Sequence, residues 1–257
     1  MLRGLGWAGI VGGVIAVAAP RSSAAQAPSS DSAMGAMDST DQATVQMHAA
    51  MSGAMIEDLH IRLTAPRPGS AADSARAWAL VTTMRRTLER YRDVHAAEAD
   101  GFRQFLPSVR QAVYHFTNRR FAIAAVWTFD PARPTSLLYR AEPDGRFTLV
   151  GAMYTAPASA SDSELDARVP LSVARWHEHV NWCIPPLGAR ERWYEQRDGH
   201  PVFGPKSPIA TREACDAVGG RFLPRIFGWM VHVNAFAGDD PKVIWSTGHN
   251  HGEGRGP

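Results

Sequence analysis

Ser136-Leu-Leu-Tyr-Arg-Ala-Glu-Pro-Asp-Gly-Arg-Phe-Thr-Leu-Val-Gly-Ala-Met-Tyr154 is the stretch whose reading decides the fold. Two runs rich in β-formers, Ser136 to Arg140 and Phe147 to Tyr154, flank Glu142-Pro143-Asp144-Gly145. Proline presets φ at one turn position, and Asp-Gly tolerates the positive φ that closes tight hairpins, so the stretch reads as two antiparallel strands. Further runs of the same kind lie on both sides: Ala112 to Thr117, Phe121 to Phe129, Val173 to Trp182 and Ile226 to Phe236.

Upstream the period changes from two to that of a helix. Ala43 to Leu63 reads as a first helix with Met47, Met51 and Met55 on one face. After Pro66 to Gly69, Ser70 is placed to cap a long second helix, with Asp73 at the third position. Trp78, Val81, Met84, Leu88 and Tyr91 form its apolar stripe, and it should end near Gly101. The fold class expected is therefore α+β, with N-terminal helices packed on a largely antiparallel β-sheet. The domain should span 43–247 as a single unit, followed by a Gly-rich tail over 248–257.

The beginning of the chain has a different character. Arg3, the uncharged run Gly4 to Ala19 and the small residues Ser22 to Ala25 follow the three-part pattern of a secretory signal peptide, cleaved after Ala25. A spanning helix needs roughly 20 apolar residues, and this run is shorter and broken by glycines, so no permanent membrane anchor is expected. Residues 26–42, mostly Ser, Ala, Asp and Met, have the composition of a disordered linker. The localisation implied is periplasmic or extracellular. In such a compartment a lone pair of cysteines, Cys183 and Cys215, is most simply one disulfide, closing a loop-rich insert over Ile184 to Phe222. With 27 basic against 25 acidic residues, and Arg3 and Arg21 lost with the leader, the mature chain is formally neutral. That balance gives no basis for nucleic acid as a partner.

Chemistry is concentrated in the histidines. In Trp176-His177-Glu178-His179-Val180-Asn181-Trp182-Cys183 a strand would set His177, His179 and Asn181 on one face, so that two imidazoles could close on one ion. A helix capped by Ser172 would set them about 200° apart, and both readings stay open. His232, between Met230 and Asn234 on a shared face, and His115, inside Tyr114-His115-Phe116, repeat the pattern on other strands. A buried imidazole needs a partner, and three such strands in one chain point to a metal site of His177, His179 and His232, with His115 as a fourth ligand or a donor behind one. Neutral imidazoles, with Met230 nearby, suit copper or zinc, while iron usually adds a carboxylate. Met34, Met37, Met47, His48, Met51 and Met55 favour copper if their thioethers ligate Cu(I), and the other reading of the same residues is an amphipathic helix that packs its Met face on the core.

Two other function classes compete with a metal-binding role. A metal-dependent hydrolase or oxygenase would need Glu178, Glu98, Asp239 or Asp240 for acid and base work. A module for an apolar ligand or sugar would use Trp176, Trp182, Trp193, Trp229 and Trp245 as a pocket wall. His177-Glu178-x-x-Asn181 lacks the second histidine of a zincin, and there is no nucleophile elbow, P-loop, strand-led G-x-G-x-x-G, C-x-x-C or C-x-x-C-H.

The segments Tyr114-His115-Phe116-Thr117-Asn118, Leu137-Leu138-Tyr139, Asp144-Gly145, Leu149-Val150-Gly151-Ala152-Met153-Tyr154 and the His232 strand resemble an uncharacterised family of exported bacterial proteins. The resemblance covers roughly Tyr91 to Trp245. It implies an exported single domain and carries no assigned activity or catalytic residue.

Overall fold

The computed structural model describes residues 59–246 apart from 106 and 108–112. The leader, the linker, the tail with His249 and His251, and nearly all of the Met-bearing first helix lie outside these residues. The end of that expected helix is corrected: Ile61–Leu63 is a strand, β1, with Ile61 and Leu63 buried and Arg62 between them exposed. Period-two burial wins there because the segment pairs with the strand that begins at His177.

Ser70 caps α1 (Ala71–Leu88), and a reciprocal capping box links its side chain and backbone to Asp73. Such a cap contributes about 1 kcal/mol. Asp73 also accepts from Arg67 and Arg76, and the Arg67 guanidinium above all holds its carboxyl well below the usual range. The expected single helix to Gly101 is three pieces: α1, a 3₁₀ turn at Glu89–Arg92, and α2 (Val94–Ala99), restarted by the Asp93 side chain as N-cap. Val81, Met84, Leu88 and Tyr91 are buried as the stripe requires. Trp78 is the exception, half exposed with Arg85 stacked over its ring.

Seven strands form one antiparallel sheet in the order β1-β6-β9-β5-β4-β3-β2. They are β2 (Arg103–Gln104), β3 (Val113–Thr117), β4 (Ser136–Ala141), β5 (Phe147–Ala156), β6 (His177–Ile184) and β9 (Arg221–Val233), with β1 at one edge. The hairpin at Glu142–Gly145 joins β4 to β5 as read, Gly145 adopting φ 82°. The expected strand over Phe121 to Phe129 is instead α3 (Arg119–Ala124), because the Asn118 side chain accepts from the backbone of Arg120 and Phe121 and starts a helix. The turn is held inward by Phe121, packed edge-on to Phe102. Helix α4 (Asp162–Arg168) follows β5.

Beyond β6 the insert carries a two-residue hairpin, β7 (Gln196–Arg197) and β8 (His200–Pro201), and helix α5 (Arg212–Ala217). The Cys183–Cys215 disulfide is formed, with Phe203 and Val202 packed around it. The last element is α6 (Pro241–Ile244).

The two faces of the sheet have separate cores. On one, α1 covers Phe116, Tyr139, Leu149, Tyr154, Trp229, Val231 and Val233. On the other lie Val113, Leu138, Val150, Met153 and Met230, beside Ile61, Leu63, Trp182 and Ile226. Two irregularities bend the sheet: the β4–β5 register shifts past Leu138, and the β6–β9 register shifts between His177 and His179. The second shift loops out Phe227, which takes φ 65°, and Gly228, where a Cβ would lie 2.1 Å from the Ala156 carbonyl oxygen. Bulges of this kind increase local twist. Their effect is visible in Phe105, which lies beside β3 and packs across on the β1-β6-β9 cluster.

Candidate functional site

Alternation on three strands delivers four histidines to the face away from α1. In β3 His115 stands between Tyr114 and the core residue Phe116, and in β9 His232 stands between Val231 and Val233. In β6 the strand reading holds, so His177 and His179 flank Glu178 and project together, opposite Leu63 and Ile61 of β1. All four are 4% exposed or less.

The four rings form a chain. His115 and His232 have ring centroids 5.5 Å apart, His232 and His177 5.2 Å, and His177 and His179 5.7 Å. The Nε2 atoms of His115 and His232 are 3.5 Å apart. Three strand spacings separate β9 from β3, about 14 Å in a flat sheet, so this approach requires the sheet to curl toward the histidines and both rings to lean inward. Burial, and then the neighbouring His177, His115 and His179, push the His232 pKa well below its ordinary value, so its imidazole is neutral at neutral pH.

Two nitrogens bound to one tetrahedral ion at 2.0–2.1 Å lie roughly 3.3 to 3.4 Å apart. The His115–His232 pair stands close to that spacing. Among the described residues, however, no group of three or more His, Cys, Asp or Glu side chains is preassembled as a set that could hold a metal ion.

Asn181 departs from its expected place. It takes φ 58°, donates to the Leu59 carbonyl, and resets the alternation of β6. Trp182 consequently lies on the histidine side, its ring edge-on to His179 at 5.8 Å, and Cys183 turns to the disulfide cluster. Two neighbours escaped the sequence reading altogether or in part. Met153 lies directly opposite His232, and Met230 directly opposite His177. The alternation of Met230 with His232 is visible within one strand, but the place of Met153 depends on register between strands.

The residues of the competing readings sit elsewhere. Glu178 is fully buried on the opposite face from its flanking histidines, paired with Arg62 and with Arg225 at 3.0 Å. Burial raises its pKa against the pull of both arginines. Glu98 faces His95 at the surface, Asp239 binds Arg85, and Asp240 caps α6. The five tryptophans do not share a wall. Trp176, Trp229 and Trp245 belong to the helix-side core, Trp182 to the histidine side and Trp193 to the disulfide cluster. His60 bonds the Ser207 carbonyl at 2.6 Å and ties β1 to the insert.

No helix among the described residues is long and apolar enough to cross a membrane. Compared with known proteins, the chain matches no family model, no curated protein and no solved structure.

Proposed function

We propose that this is an exported metal-binding protein, with copper as its ion, His177, His179 and His232 as ligands and His115 as a fourth ligand or a donor behind one, serving in sequestration or redox chemistry. The observation that carries the reading is the buried chain of four imidazoles at centroid spacings of 5.2 to 5.7 Å, with one nitrogen pair at 3.5 Å. Neutral imidazole is the ligating form, and His232 is held in it. Small rotations of side chains already in contact bring further nitrogens onto an ion, so the cage is assembled by the metal rather than before it. The carboxylates of the hydrolase reading face other parts of the molecule, which favours binding over acid–base catalysis. Export is supported by the leader-like start of the chain, by the resemblance to exported proteins, and by a disulfide that suits an oxidising compartment.

The test is metal content after production through an export route, followed by affinity measurements. Copper should copurify or load at one ion per chain. Ala substitutions at His177, His179 and His232 should each weaken binding at least about tenfold. His115→Ala separates a loss near tenfold, for a supporting donor, from a much larger loss for a ligand. Chains that stay empty with copper, zinc and iron supplied, or that bind equally well without these histidines, overturn the reading.

A further inference from the structure

Thioether sulfurs enter the histidine face from within the sheet. Met153 of β5 is the cross-strand partner of His232, and Met230 of β9 is the cross-strand partner of His177. Side chains directly opposite in an antiparallel pair have Cβ atoms about 4.5 to 5.5 Å apart, well within the reach of a methionine. Both are buried in one apolar cluster with Val113, Leu138 and Val150. A methionine at such a place ordinarily fills space, but here each lies beside an imidazole of the ring chain.

Charge sharpens the point. The residues directly opposite these histidines and methionines on neighbouring strands include Leu63, Ile61, Ile226, Leu138, Ser136 and Thr155, none of them charged, and Glu178, the nearest carboxylate in sequence, projects to the other side with its two arginines. The Born cost of placing an ion in a low-dielectric site grows with the square of its charge, so a dication costs about four times a monocation of the same size. An all-neutral donor set therefore penalises Zn(II) and Cu(II) relative to Cu(I). The softness of the donors acts in the same direction, because thioethers select Cu(I).

We propose that the site takes copper in its reduced form, Cu(I), with Met153 and Met230 as sulfur ligands beside the histidines. This rests on the metal-binding reading above and adds the oxidation state and the two thioethers to it. Leucine nearly conserves the volume of methionine, so M153L, M230L and the double variant should keep the fold, which a cooperative melt verifies. Under anaerobic conditions a bathocuproine-type chelator competes for Cu(I), and Zn(II) serves as the hard control. The double variant should lose at least about tenfold in Cu(I) affinity while its Zn(II) affinity stays within about twofold, on the scale that loss of a single metal contact reaches. X-ray absorption at the copper edge should show a sulfur scatterer in the wild type and none in the double variant. Cu(I) affinity unchanged by the leucines, a wild-type spectrum without sulfur, or tighter binding of Zn(II) than Cu(I) overturns the thioether proposal while leaving a histidine site standing. Failure to bind either ion removes the histidine site and this proposal together.

Discussion

The same three strands build both faces of the sheet, yet the two faces obey different rules. Toward α1, β3 sends Phe116 and β9 sends Trp229, Val231 and Val233 into a core where buried hydroxyls are matched: Tyr139 donates to the Tyr91 carbonyl and Tyr154 to the Pro131 carbonyl. One residue over, the same strands send His115, Met230 and His232 to the far side. A face built only for stability has no need of four imidazoles, because each costs desolvation that leucine does not. On the proposed reading, the difference between odd and even positions separates what holds the fold from what the fold holds.

That separation can be broken by adjacent substitutions. Phe116→Ala should cost about 3 to 5 kcal/mol through transfer and cavity terms, with metal affinity of the folded fraction unchanged. His115→Ala should cost the metal-free protein clearly less and reduce copper affinity instead. Urea unfolding of the metal-free forms checks both, and equal losses at the two positions would end the division of labour.

The insert offers a third region for comparison, held by covalent closure rather than by either face. Replacing Cys183 and Cys215 with serine opens a loop of 32 residues and should cost about 3 to 4 kcal/mol by the chain-entropy model. Thiol titration of the denatured, unreduced protein should find no free thiol, and two reactive thiols would contradict the bond.

The smallest effect is also the most diagnostic, since acid attacks the two sides in different pH windows. For His232 the folded pKa lies below the ordinary 6.5, so the unfolded chain takes a proton that the folded one refuses. Its contribution is complete above that value and is lost as pH falls toward the folded pKa, at up to ~1.4 kcal/mol per pH unit. For Asp73, lowered from 3.8 chiefly by Arg67, the contribution persists until pH falls below the carboxylate range. Denaturation of the metal-free protein across these windows should show two slopes. His232→Leu should flatten the upper and Asp73→Asn the lower, and a single slope insensitive to His232 would mean that its ring takes up a proton as readily in the fold as in the unfolded chain.

Much of this was legible in the chain because it is local. The Glu142 to Gly145 turn, the Ser70 cap and the alternation of His177 with His179 each follow from a few consecutive residues. What escaped was decided by competing or distant partners. Phe121 to Phe129 has the composition of a strand, but one accepting oxygen on Asn118 starts a helix there, a signal present in the sequence and outweighed by β-former content. Ile61 to Leu63 continues a helical period, yet an unpaired β6 edge claims it. Strict alternation puts Asn181 on the histidine face, and its left-handed backbone interrupts that alternation. The meeting of His115 with His232 across three strands depends on curvature, and curvature arises from bulges whose register no single segment encodes.

The bond between Cys183 and Cys215 bears on how the molecule withstands proteolysis. It joins the last turns of β6 to α5, so the whole intervening stretch, with exposed Leu187 and Tyr194, forms a covalently closed ring hanging from the sheet. A protease that cuts anywhere inside that ring leaves two polypeptides and still one molecule, with β6 and β9, the strands that carry three of the four histidines, joined as before.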